Sequence, residues 1–229
     1  MNEILTWGKE HALLIFAIAI ILFNFAWLLL CRKQLDLKWY VALVIAILHD
    51  IVGYTAMRLL AIIEVGGDIS KAANMRLFGA VFLLPLLYFL VAKLLKKKNA
   101  VVMDVAAICL TIGLVFGRLD CLVGGCCKGV IFFGLSPIRW PLREIELVFY
   151  VFFLIHYGRR ILNEQTHGEV YPVFMIQYGA LRFLLEWFRE EYTTSFGIFH
   201  LAHIWCVISF AIGLSTYYEL QTKAKKVRR

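Results

Sequence analysis

Apolar residues fall in seven runs separated by short polar clusters, at about residues 11–31, 39–63, 77–95, 100–118, 144–158, 170–189 and 199–219. About 20 consecutive apolar residues cross the hydrocarbon core of a bilayer as a helix, and a helix satisfies its own backbone where there is no water. The pattern therefore predicts an all-α integral membrane protein of about seven transmembrane helices, forming a single transmembrane domain over residues 1–229. The fifth run is the shortest. The first is too long for a signal-peptide core and lacks a small-residue cleavage site, so it is expected to stay as a span.

Composition sharpens this. Hydrophobic residues make up 62% of the chain and charged residues 17%, against about 45–50% and 25% in soluble domains, which excludes an ordinary soluble protein. The net charge of +8 is unevenly placed. One set of loops and the tail hold Arg32, Lys33, Lys38, Lys93, Lys96, Lys97, Lys98, Arg159, Arg160, Lys223, Lys225, Lys226, Arg228 and Arg229. The other side holds only Lys9, Lys71, Arg76, Arg118, Lys128, Arg139, Arg143 and Arg189. The basic excess marks the cytoplasmic side, so the N-terminus is expected outside and the C-terminus inside. Spread over loops, these charges suit membrane lipid, at ~1 kcal/mol each near an anionic surface, and not nucleic acid.

Where the fourth run ends, the stretch from Gly117 to Gly129 gathers glycines, Arg118 and three cysteines where the chain is expected to turn back. Irregular backbone at membrane depth survives only when buried in protein or lining a cavity, so this stretch is a site candidate. Ionisable residues inside the runs add to it, each costing at least about 2.5–3.5 kcal/mol at the bilayer centre. The second run carries His49, Asp50, Tyr54 and Arg58, the last three at i, i+4 and i+8. The sixth carries Tyr178, Arg182 and Glu186 at the same spacing. Each set lines one helical face. The two stripes are expected either to form an interhelical ion-pair network or to converge with Arg118 and Arg139 on an anionic head group, which guanidinium forks bind bidentately.

These residues resemble the prolipoprotein diacylglyceryl transferases. The family's Gly-Arg-x-Gly-Asn-(x)3-Gly-Glu-(x)2-Gly signature is similar to the register Gly117, Arg118, Cys121, Gly125, Cys126 and Gly129. Its Arg-His-Pro-Ser-Gln-x-x-Glu segment resembles Arg139 to Glu146, and its Gly-Tyr-Gly-x-x-Arg-(x)3-Glu-(x)2-Arg helix resembles Gln177 to Arg189. The likeness covers about Asp104 to Cys206 well and the first hundred residues loosely. Several positions depart from the family. Asp120 replaces glycine, Cys121 asparagine and Cys126 an acid; Phe78 stands in the segment that holds the family's histidine, and His203 where helix 7 usually has glutamine.

The resemblance implies a transferase in a bacterial cytoplasmic (inner) membrane with its site towards the extracytoplasmic face. It would move a diacylglyceryl group from phosphatidylglycerol to the cysteine thiol of a prolipoprotein lipobox peptide, without a cofactor. Arg118 and Arg182 would hold the phosphate, Arg139 would support them, and Glu186 would orient an arginine. Gly117, Cys121, Gly125, Gly129, Glu146, Tyr178, Tyr54 and Arg58 would line the lipid. A base must ionise the acceptor thiol, whose free pKa of about 8.5 leaves it protonated at neutral pH. His203, His200 and the His49–Asp50 pair are the candidates. Alternatives are a paralogue serving another acceptor, with a covalent step on Cys126 or Cys127, and a thiol-redox membrane protein.

Three readings of Cys121, Cys126 and Cys127 stay open: a disulfide from Cys121, a thiol activated by Arg118 and Lys128, or packing of a tight turn. No metal is expected, because zinc sites usually show paired Cys-x2-Cys or His ligands. Cys31, Cys109 and Cys206 read as small apolar residues. Trp7, Trp27, Trp39, Trp140 and Trp187 fall near run ends, where interface aromatics sit.

Overall fold

The computed structural model describes residues 11–69, 76–131, 138–190, 195–196 and 199–227. Trp7, Lys9, Lys71, Arg228 and Arg229, which carry interface or topology expectations, lie outside the described residues. Within them run seven long helices: α1 (Ala12–Leu30), α2 (Trp39–Glu64), α3 (Leu77–Leu94), α4 (Asn99–Gly124), α5 (Leu142–Leu162), α6 (Val170–Glu186) and α7 (Leu201–Val227). A single helical turn, Arg32–Leu35, follows α1, and the two-residue strands β1 (Ser195–Phe196) and β2 (Phe199–His200) pair antiparallel before α7. Five helices are long and apolar enough to cross a membrane: α1 to α4 and the Leu201–Lys223 part of α7. Of the other two, α5 carries Arg143, Glu144, Glu146, Arg159 and Arg160, and α6 has 17 residues that include Arg182 and Glu186.

Helix α4 is the axis of the bundle. Every residue from Asp104 to Ile112 is buried, as expected of a helix that is apolar all round. Trp27 of α1 packs into it, 7% exposed, with its indole N–H donating to the Val105 carbonyl at 3.2 Å. Trp27 is thus not an interface aromatic: its one polar atom finds a partner inside, whereas Trp39 is 62% exposed. Helices α6 and α7 press together at Gly179, where an added Cβ would come within 2.7 Å of the Cys206 carbonyl oxygen. Small residues let helices approach this closely in a membrane.

Asp104 of α4 fixes the start of α6. Its carboxylate accepts the backbone N–H groups of Gly168 and Val170 at 2.8 Å and of Tyr171 at 3.2 Å. At the same end lie the contacts Lys97–Asp36 at 3.9 Å, Arg160–Glu169 at 3.2 Å and Gln34 Nε2 to the Ile161 carbonyl at 2.7 Å. The lysine- and arginine-rich loops therefore share one end of the bundle. At the opposite end Glu64 of α2 pairs with Arg76 at 2.6 Å and accepts the indole N–H of Trp205 from α7 at 2.9 Å.

The fourth run was expected to stop near residue 118, but α4 continues to Gly124 and is capped by Gly125 at φ 70°. The turn therefore starts at Gly125 and not at Gly117. Polarity ended the apolar run, yet nothing between Arg118 and Val123 breaks a helix, and a partner on α5 compensates the charge of Arg118.

Candidate active site

Glu146, in the second turn of α5, stands between two arginines from different helices. Nε of Arg118 on α4 pairs with its Oε2, and Nη1 of Arg182 on α6 donates to its Oε1 at 2.5 Å. Arg182 Nη2 also reaches Glu186 Oε2 at 3.0 Å, and Arg189 approaches the same oxygen at 3.6 Å. Arg118, Glu146, Arg182 and Glu186 are 1%, 1%, 5% and 4% exposed. Three guanidinium groups against two carboxylates leave one net positive charge. An ion pair this deep persists only when its remaining donors and acceptors are satisfied. Yet Arg118 Nη2, Arg182 Nε and the hydroxyls of Tyr150 and Tyr178 are buried without a hydrogen-bond partner in the described protein.

Aromatic rings wall this cluster. Tyr178 stacks on Tyr150 with centroids 6.4 Å apart and meets Phe78 edge-on at 5.5 Å, while the Arg182 guanidinium lies 5.7 Å from the Phe78 ring centre. Phe78 thus occupies the arginine cluster itself, the neighbourhood from which the resemblance implies a histidine is missing. Tyr150 was not singled out in the sequence; the available signal was its i+4 spacing from Glu146, which puts both on one face of α5.

Beyond Gly125 the chain is stitched into the site. Gly129 bridges to Arg189 and Ile131 to Arg139; Val130 N–H donates to the Phe188 carbonyl at 2.8 Å, and Trp140 N–H to the Val130 carbonyl at 3.1 Å. The three segments carrying the family resemblance therefore meet as backbone neighbours. A Cβ at Gly129 would lie 2.4 Å from the Trp140 carbonyl oxygen, so this crossing requires glycine. Gly117 is under no such constraint, facing only the Leu77 side chain at 3.7 Å. Arg139 donates to the Gly129 carbonyl at 3.1 Å and pairs with Glu190 in solvent. It supports the loop and does not enter the buried cluster.

The three signature cysteines come together at the end of α4. Cys121 and Cys127 have sulfurs 3.8 Å apart, and all three sulfurs lie within 4.8 Å of one another. Each is a free thiol. Arg118 Nη1 lies 3.8 Å from Cys121 Sγ, and Arg143 Nη1 donates to the carbonyls of Cys121 and Cys126 at 3.3 Å each. The Cys127 thiol is held well below the usual thiol range, first by a hydrogen bond from Cys121 and then by the charges of Arg189 and Arg118. In contrast Cys31, Cys109 and Cys206, at 0%, 0% and 1% exposed, are core residues. The spacing Cys121-(x)4-Cys126-Cys127 concealed this cluster, because Cys121 lies on the helix and Cys127 folds back onto it through a left-handed residue at φ 57°.

The two polar stripes do not face each other. Helix α2 turns Ala42, Ile45, Ala46, His49, Gly53, Ala56 and Leu60 inward, and Tyr54, 43% exposed, lines an outer groove with Arg58 and Leu83. Helical spacing placed Asp50, Tyr54 and Arg58 on one face but could not choose the neighbour, which is α3: Phe78 of that helix contacts Tyr178. His49 is buried with Nδ1 3.0 Å from the Tyr88 hydroxyl. His203 packs between Phe183 and Trp187 and accepts the His200 N–H on Nδ1 at 3.0 Å. Neutral His203 therefore carries its proton on Nε2 and has no lone pair left for an incoming thiol.

In this helical membrane protein α4 and α6 bring arginines onto one buried carboxylate of α5, with buried donors left over, at one end of the bundle. The prolipoprotein diacylglyceryl transferase family profile matches residues 11–218, and the chain belongs to that family. The chain is similar to a protein of Clostridium perfringens (strain 13 / Type A), named phosphatidylglycerol–prolipoprotein diacylglyceryl transferase 2, at 27% identity over 127 residues. That match covers 48% of each chain, so it spans about half the length of the curated relative.

Proposed function

We propose that this chain transfers a diacylglyceryl group from phosphatidylglycerol to the thiol of a prolipoprotein cysteine at the extracytoplasmic face of a bacterial inner membrane. The reading takes seven spans with the N-terminus outside and the basic loops inside, an orientation supported by the basic excess of those loops, and so puts the arginine cluster at that face. The carrying observation is the set of buried donors, Arg118 Nη2 and Arg182 Nε with the Tyr150 and Tyr178 hydroxyls, around a cluster of net positive charge. As the thiolate attacks the glycerol carbon and the C–O bond to phosphate breaks, one further negative charge develops on the departing glycerol phosphate. Donors already aimed at that charge stabilise it without reorganisation. Glu146 and Glu186 keep the two guanidinium planes fixed.

Incubation of the purified protein with phosphatidylglycerol and a lipobox peptide tests this by mass spectrometry. The peptide should gain one diacylglyceryl group as glycerol phosphate appears; folded protein that yields neither overturns the reading. Labelling of introduced cysteines with an impermeant reagent should mark the 125–131 loop and spare the tail in intact cells, and the reverse pattern overturns the orientation. The 3.8 Å approach of Cys121 and Cys127 favours one second reading, a thiol-redox protein. That reading requires the pair to cycle between dithiol and disulfide in the isolated protein.

A further inference from the structure

We propose that Cys121, Cys126 and Cys127 form a three-thiolate site for one zinc-class divalent ion, whose fourth coordination position is open to the acceptor thiol. The second half of this rests on the transferase reading above. Zinc sits about 2.3 Å from each thiolate in a tetrahedral site, which places neighbouring sulfurs about 3.8 Å apart. Cys121 and Cys127 already have that separation, and Cys126 completes a triangle with no edge above 4.8 Å. Cys126 is exposed and the other two are half-buried, so an ion and a peptide thiol can reach them.

Packing and disulfide formation each account for less. Thiols that only fill space in this protein are sealed in the core, as Cys31 and Cys109 are. A disulfide would use two sulfurs, drawn in from 3.8 Å to about 2.05 Å, and would leave the third without a role. Cys127 holds φ 57°, a costly conformation for a side-chain-bearing residue, and this conformation brings its sulfur to 3.8 Å from that of Cys121 at the helix end. Each surrounding guanidinium has a partner, Arg118 in Glu146, Arg189 in Glu186, and Arg143 in Glu144 and two backbone carbonyls, and the one positive charge the cluster keeps is outweighed by three thiolates, which attract a divalent ion. Three thiolates and one divalent ion carry a net single negative charge, opposite in sign to the arginine cluster 3.8 Å away at Arg118.

Such an ion would supply the ionised nucleophile that Phe78 and His203 do not. Phe78 offers no base, and His203 uses its Nδ1 lone pair on the His200 N–H. A thiol that coordinates zinc is deprotonated outright. The acceptor loses its proton to solvent, its sulfur forms the S–C bond, and the C–O electron pair leaves with the phosphate, which passes from one negative charge to two beside Arg118 and Arg182.

Anaerobically purified protein loaded with Co2+ tests the site. One cobalt per chain with a thiolate-to-cobalt charge-transfer band, and three sulfur neighbours by X-ray absorption, is expected. Cys126→Ser, at an exposed position that does not threaten folding, should weaken binding at least tenfold. Cobalt without sulfur neighbours, or full affinity in Cys126→Ser, overturns the site. Chelator-stripped protein should lose transfer and regain it with Zn2+; full transfer without metal overturns the nucleophile role and leaves the transferase reading standing. Metal-loaded, folded protein that transfers nothing overturns the transferase reading and leaves the ion site in place.

Discussion

Asp104 and Glu146 are carboxylates each 1% exposed inside the same bundle, and they are satisfied in opposite ways. Asp104 accepts three backbone N–H groups, each fully committed to that bond, and joins α4 to the start of α6. Glu146 accepts two guanidinium groups, each of which keeps a buried donor pointing elsewhere. Burial of charge is common to both and so does not mark function. What separates them is the capacity left on their partners: none around Asp104, several N–H and O–H groups around Glu146.

The strongest way to break this contrast is Arg182→Ala or Arg118→Ala. Transfer should fall by about 10²–10³-fold, the cost of removing one donor at a developing anion. The stranded Glu146 charge should also lower stability by about 3–5 kcal/mol. Single-turnover rates and detergent thermal unfolding check both, and near-normal turnover in either variant would make that arginine architectural. Gly129→Ala comes next. Its Cβ would force the loop away from the Trp140 carbonyl, and since misplacements of about 1 Å can cost about 100-fold, activity should drop about tenfold or more while helix content is unchanged by circular dichroism.

Asp104→Asn probes the other side of the contrast. It turns an amide NH2 or a poorer acceptor towards the N–H groups of α6, which should cost about 1–3 kcal/mol of stability. Turnover of the folded fraction should stay within about twofold of wild type; a large fall in turnover without a stability loss would erase the distinction between the two carboxylates. The smallest effect is expected from Arg139→Ala. This residue and Glu190 are solvated, and screening weakens such pairs, so KM for the anionic lipid should rise modestly at low salt, with kcat constant and the difference lost at high salt.

The helices were legible because bilayer-length apolar runs leave few alternatives, and the stripe of Tyr178, Arg182 and Glu186 was legible from its i+4 spacing. The partner of that stripe was not. Spacing orients residues on a helix but does not say which helix comes next, so Tyr54 and Arg58 were assigned to a cluster that Glu146 and Phe78 complete in the fold. Position along the run misplaced Trp27, because an indole near a run end can point inward as readily as towards head groups. At Asp104 an acid inside an apolar run is itself a signal, but its partners are backbone groups, which leave no trace in side-chain identity. The cysteine triangle depends on two left-handed residues, Gly125 and Cys127.

The bond from Trp27 to Val105 sets a timing problem for biosynthesis. The indole and its acceptor are 78 residues apart in the chain. At about 5–20 residues per second, α1 enters the bilayer roughly 4 to 16 s before α4 is available to receive it. During that interval the indole N–H of Trp27, buried in the finished bundle, must face lipid or the insertion machinery without its acceptor. Since α1 buries only Ala12, Asn24, Trp27 and Leu28, it is the helix that assembly can most easily leave undocked until the rest of the bundle has been made.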